Sequence, residues 1–226
     1  MGVICCQNNS LKETEDLILQ ILKNPSLKLK DFDYNQLLNE IVSKRVQQEV
    51  YKEHIIEYLL EEFYNINLPN EEKKYSKIIL EDLVSTLKDK NNMYSVILIF
   101  YPFINHNNEK CSDNLFSIFS YITGRLTIED FENCLIKYFT YNTSFINNSI
   151  KKVCDDQKIK NQLDEINITF FNEDKIKSLI DKMLMDIKKN SKNFEKDLVS
   201  KEQFIDVYNN YPFSSVEQIR NLVLNY

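Results

Sequence analysis

The chain has 226 residues, 43% of them hydrophobic, with a formal net charge of −6, enough for one large or two small domains with a true core. Lysines and acids alternate along it with no basic stripe to neutralise a phosphate backbone, which argues against a nucleic-acid partner. Five cysteines, an odd number with no Cys-x-x-Cys pair, fit reduced thiols in a reducing compartment.

Alanine is absent and 27 asparagines stand against three arginines, the bias of an AT-rich coding sequence. The asparagine runs therefore carry no functional weight, while the two glycines, Gly2 and Gly124, carry more than usual. Residues 1–10 lack the basic segment and apolar core of a secretory signal. Gly2 directly after Met1 is the acceptor position for N-myristoylation, although Cys6 stands where Ser or Thr is typical. Cys5 and Cys6 are placed for S-palmitoylation. One myristoyl chain holds a protein on a membrane only marginally, and the first cation is Lys12, so palmitate would supply the second signal. Residues 1–9 are thus expected to be a flexible, dually acylated terminus that places a cytosolic protein on the cytoplasmic face of a membrane.

Ser10 and Glu13 form a capping-box pattern before DLILQILK. After the break at Pro25, residues 34–64 carry apolar positions at helical spacing, among them Leu37, Leu38, Ile41, Ile55, Leu59 and Phe63. Pro69 and Asn70 cap a helix through YSKIILEDLVSTLK. These segments make a region 10–92. NMYSVILIFYPFI then reads as a buried helix ending near Pro102, its apolar run too short to span a bilayer. Helices follow in CSDNLFSIFSYI and LTIEDFENCLIKYF. The polar stretch 142–172 reads as an insertion with one helix. NEDKIKSLIDKMLMDI, KEQFIDVYNN and the capped SSVEQIRNLVLNY complete an all-α chain of roughly eight to ten helices.

Gly124 sits where one helix ends and another begins. Glycine admits positive φ, Leu126 follows two residues later, and Thr127 caps the next helix with Asp130 three positions on. With Gly124 as the sixth position of a twelve-residue loop, the loop runs from Phe119 to Asp130, Leu126 is eighth, and Phe131 follows. A second unit places Val199 eighth, with Ser200 and Gln203 as a capping box and Phe204 after them. LFSIFSYITGRLTIEDFENCL and DKMLMDI…DLVSKEQFIDVYNNYP, preceded by SVILIFYPFI and followed by SVEQIRNLVL, resemble the hands of the neuronal calcium sensor and calaxin family. The resemblance covers about 96–226, weakening before that, where SLKLKDFDYNQLL stands as a remnant of an earlier hand. It implies an EF-hand-like fold with degenerate hand pairs in a region 93–226, and a myristoylated Gly2. A plain helical hairpin with a capped second helix fits the same pattern.

Calcium needs oxygen ligands from the first, third, fifth and twelfth side chains. Those places fall on Phe119, Tyr121, Thr123 and Asp130 in the first loop, and on Lys192, Phe194, Lys196 and Gln203 in the second. One carboxylate and one hydroxyl do not offset dehydration of a divalent ion, and lysine repels it. A longer loop from Asp186 to Glu202, using Asn190, Glu195 and Asp197, lacks the inherited spacing. The loops are expected to bind no metal and to be held together by a Leu126–Val199 contact.

Catalysis has little to draw on. His54 lies in a charged amphipathic helix, and His106 stands five residues before Cys111 with no third orienting group. Two glycines make no phosphate loop, and no zinc-ligand spacing occurs. No cofactor is expected. The leading expectation is a non-catalytic, lipid-anchored adaptor that binds a partner helix or peptide, with SVILIFYPFI and Val216, Ile219, Leu222 and Val223 as candidates for its groove or its internal plug, core packing being the expected role of most of them. A calcium-binding sensor and a structural component of a ciliary or cytoskeletal assembly are the alternatives.

Overall fold

The computed structural model describes residues 13, 16, 98, 101–103, 110–123, 125–190 and 197–226. The region 10–92 therefore lies outside the described residues, apart from Glu13 and Asp16, which are helical and exposed. Of the apolar run before Pro102, Leu98 is helical and buried, and Tyr101–Phe103 form a single 3-10 turn.

Helix α1 spans Cys111–Thr123 and α2 Ile128–Thr140. A π turn at Tyr141–Phe145 then joins α2 to α3, Ile146–Val153, without a break. α4 covers Gln157–Thr169, α5 Glu173–Asn190, α6 Lys201–Asn210 and α7 Val216–Asn225. The described part is all-α, with no strand. Several starts have a local cause. The Asp156 carboxylate accepts from the Lys158 and Ile159 amides, and Asn172 accepts from the Lys175 amide at 2.9 Å. Ser200 with Gln203, and Ser215 with Gln218, close reciprocal capping boxes.

The stretch 142–172 is not a single-helix insertion. The α2 helix continues through it to Val153, and α4 follows. Four of its polar residues face inward, Asn142, Thr143, Asn147 and Ser149 all being buried, while Asn148 and Lys152 stay exposed. Three of the buried four bond the turn below, Asn142 donating to the Tyr138 carbonyl at 2.8 Å, Thr143 to the Phe139 carbonyl at 2.7 Å and Ser149 to the Phe145 carbonyl at 3.2 Å, while Asn147 donates to Asn167 Oδ1 at 2.7 Å. The π geometry and these side chains belong together, because widening the turn disturbs the regular carbonyl ladder that they bond.

Packing is reciprocal. α1 lies against α6 and α2 against α5, while α5 and α6 also touch. α3 pairs with α4, helped by a Lys151–Asp164 ion pair, and α7 sits on the π turn and on α5. At the centre Phe131 and Phe204 meet at 5.3 Å between ring centroids, and Phe119 contacts both at 5.7 Å. Phe213 extends the cluster from Phe204 to Tyr138 and Phe139. Burying each ring stabilises by about 1.5–3 kcal/mol, and each edge contact adds about 0.5–1.5 kcal/mol. This shared aromatic centre fixes the relation of the two helical pairs.

Candidate functional site

The loops that open α2 and α6 share a backbone. Thr127 and Ser200, the two N-caps, both have φ −73° and ψ 162°. The Asp130 amide donates to Thr127 Oγ1 at 3.0 Å, and the Gln203 amide to Ser200 Oγ at 3.3 Å. The side chains three positions on close each cap differently. Asp130 Oδ2 accepts the Thr127 hydroxyl at 2.6 Å, whereas Gln203 Oε1 accepts the Ser200 amide at 2.7 Å. Phe131 and Phe204, next in sequence, are both fully buried.

Between the caps the loops pair. The Val199 amide donates to the Leu126 carbonyl at 2.8 Å, and the Ile128 amide to the Asp197 carbonyl at 2.7 Å. These bonds frame an isolated antiparallel bridge between Thr127 and Leu198. The expected Leu126–Val199 contact thus exists as a backbone bond, with both side chains in the core, but the bridged pair lies one residue along in each strand-like segment. Asp197 has φ 58°. With Val199 as eighth position, Asp197 is sixth, the place given to Gly124 in the first loop. Aspartate is among the few non-glycine residues that tolerate this left-handed region. Gly124 itself lies outside the described residues.

Among the described residues, three of the loop ligand places, Phe119, Asp130 and Gln203, are engaged within the protein. Asp130 is engaged by Thr127, and Gln203 by Ser200. Phe119 is wholly in the core. Asp186 accepts the Tyr211 hydroxyl at 2.6 Å. Among the described residues no group of three or more His, Cys, Asp or Glu gathers. Residues 192, 194 and 196 lie outside the described part, as do the side chains of 121 and 123.

A second feature is the seat of α7. Val216, Ile219 and Val223 are buried as expected. Leu222 is only partly covered, and Arg220 takes the interior place instead. The Arg220 guanidinium is 0% exposed. It donates to the Thr143 carbonyl at 3.3 Å and to Asn147 Oδ1 at 2.8 Å, and lies 4.6 Å from the Phe171 ring centroid. Asn147 Nδ2 donates in turn to Asn167 Oδ1 at 2.7 Å, and Asn167 Nδ2 to Asn148 Oδ1 at 3.0 Å. A guanidinium is more weakly hydrated than an ammonium and presents a planar fork, which suits it to this combination of two acceptors and one aromatic face.

Beside α7 a cleft of about 450 Å³ opens between α5, the Asn210–Pro212 segment and α7 itself, with Leu179, Lys182, Tyr211, Leu222 and Tyr226 in its walls. The Lys182 ammonium lies 5.5 Å from the Tyr226 ring centroid, and the Tyr226 hydroxyl donates to the Ser178 carbonyl at 3.1 Å. Partial burial, together with the hydrogen bond to Asp186, pushes the Tyr211 phenol up to about 12.

The lipidation residues Gly2, Cys5 and Cys6 lie outside the described part, as do His54 and His106. Cys111 is buried, and its carbonyl accepts the Tyr101 hydroxyl at 3.3 Å. No described helix is long and apolar enough to cross a membrane. The chain matches no known protein family, no curated protein and no solved structure. The left-handed turn at Asp197 and the burial of Arg220 were not read from the sequence. For Asp197 the signal was its place two before the aligned Val199. For Arg220 it was its helical spacing from Val216 and Val223.

Proposed function

We propose that this protein is a non-catalytic, EF-hand-like adaptor, held on the cytoplasmic face of a membrane by acyl chains on Gly2, Cys5 and Cys6, and that it binds a helix or peptide of a partner protein without calcium. The observation that carries the EF-hand-like part is the equivalence of the two loops. Both caps have the same dihedrals, an aromatic ring follows each at the same spacing, and the loops are joined by backbone bonds across Leu126–Val199 and Ile128–Asp197. In hand-type proteins the twelfth side chain closes on the ion. Here Asp130 and Gln203 close on their own N-caps, which supports a pair of hands kept as a packing scaffold.

The membrane part rests on the opening MGVICC and on the weakness of a single myristoyl anchor. Feeding cells myristate and palmitate analogues tests it. Both labels and the membrane pool are expected for the wild type and lost in Gly2→Ala, and a Gly2→Ala protein that stays labelled on membranes overturns the anchor. Calorimetry of calcium into purified protein is expected to give no binding heat. A micromolar isotherm would instead establish a calcium sensor.

A further inference from the structure

We draw no further inference here: the strongest candidate, the open cleft of about 450 Å³ between α5, the Asn210–Pro212 segment and α7, is a largely apolar hollow whose Lys182 ammonium already lies over the Tyr226 ring, and nothing in the structure shows what covers it.

Discussion

The α1–α2 pair and the α5–α6 pair start their second helices in the same way and end them differently. α2 passes through the π turn at Tyr141–Phe145 and continues to Val153, whereas α6 stops before Tyr211 and Pro212, where proline offers no amide to extend a ladder. The consequence reaches seven residues beyond each central phenylalanine. Tyr138 is fully buried and donates to the Phe213 carbonyl, while its counterpart Tyr211 is half-buried and donates to Asp186. One pair thus supplies a wall against which α7 packs, and the other supplies the link that leads to α7. Duplicated loops hold the scaffold, and the specific features lie where the duplication breaks down.

If the aromatic centre is shared evenly, Phe131→Ala and Phe204→Ala should each cost about 3–5 kcal/mol in urea denaturation, within about 1 kcal/mol of one another. A small cost for one of them would break the equivalence outright. The next effect is at the caps. Thr127→Ala and Ser200→Ala should each lose about 1 kcal/mol, with Thr127→Ala the larger because the Asp130 carboxylate loses its hydroxyl partner as well. Thr127→Ser should keep nearly all of it. A silent Ser200→Ala would mean that the second loop is not held by its cap.

These caps were legible in the sequence because a hydroxyl residue followed three positions on by Asp or Gln is a local signal. So were the helices of 173–190 and 201–210, whose apolar residues recur at helical spacing. The continuation through 142–153 was not legible. Periodicity equates buried with apolar, and here Asn142, Thr143, Asn147 and Ser149 are buried beside Ile146 and Ile150, satisfied by carbonyls one turn back or by Asn167. Arg220 was hidden for the same reason: a charge on an amphipathic helix normally marks the solvated face. Of the candidate site, the pairing near Leu126 and Val199 could be read, but its register depended on the left-handed turn at Asp197, which carries no glycine to announce it.

That turn gives the third way to sharpen the comparison. If Asp197 occupies the position of Gly124, Asp197→Gly should relieve left-handed strain and raise stability by a few tenths up to about 1 kcal/mol, part of the gain being offset by the freer unfolded chain. Asp197→Val should cost about 1–2 kcal/mol, since a β-branched side chain is the worst fit for positive φ. The urea midpoint measures both, and an opposite order would show that the two loops do not share a turn.

The smallest effect separates the two tyrosines. Burial, ahead of the other causes, raises the Tyr138 phenol well above its ordinary range, while partial burial and the bond to Asp186 bring Tyr211 to about 12. A raised phenol stabilises the fold fully below the unfolded value near 10, and that contribution is lost as pH climbs through the folded value. For Tyr211 the loss therefore begins near pH 10 and levels off by about pH 12, whereas for Tyr138 it continues beyond. At pH 7 the Tyr211→Phe variant should differ from wild type by no more than about 1 kcal/mol, the worth of a partly exposed hydrogen bond. The difference should shrink as the pH of the urea titration is raised from 10 to 12. Tyr138→Phe should instead lessen the loss along the alkaline limb without its levelling off at pH 12, and identical limbs for the two variants would mean that the counterpart tyrosines sit in the same surroundings after all.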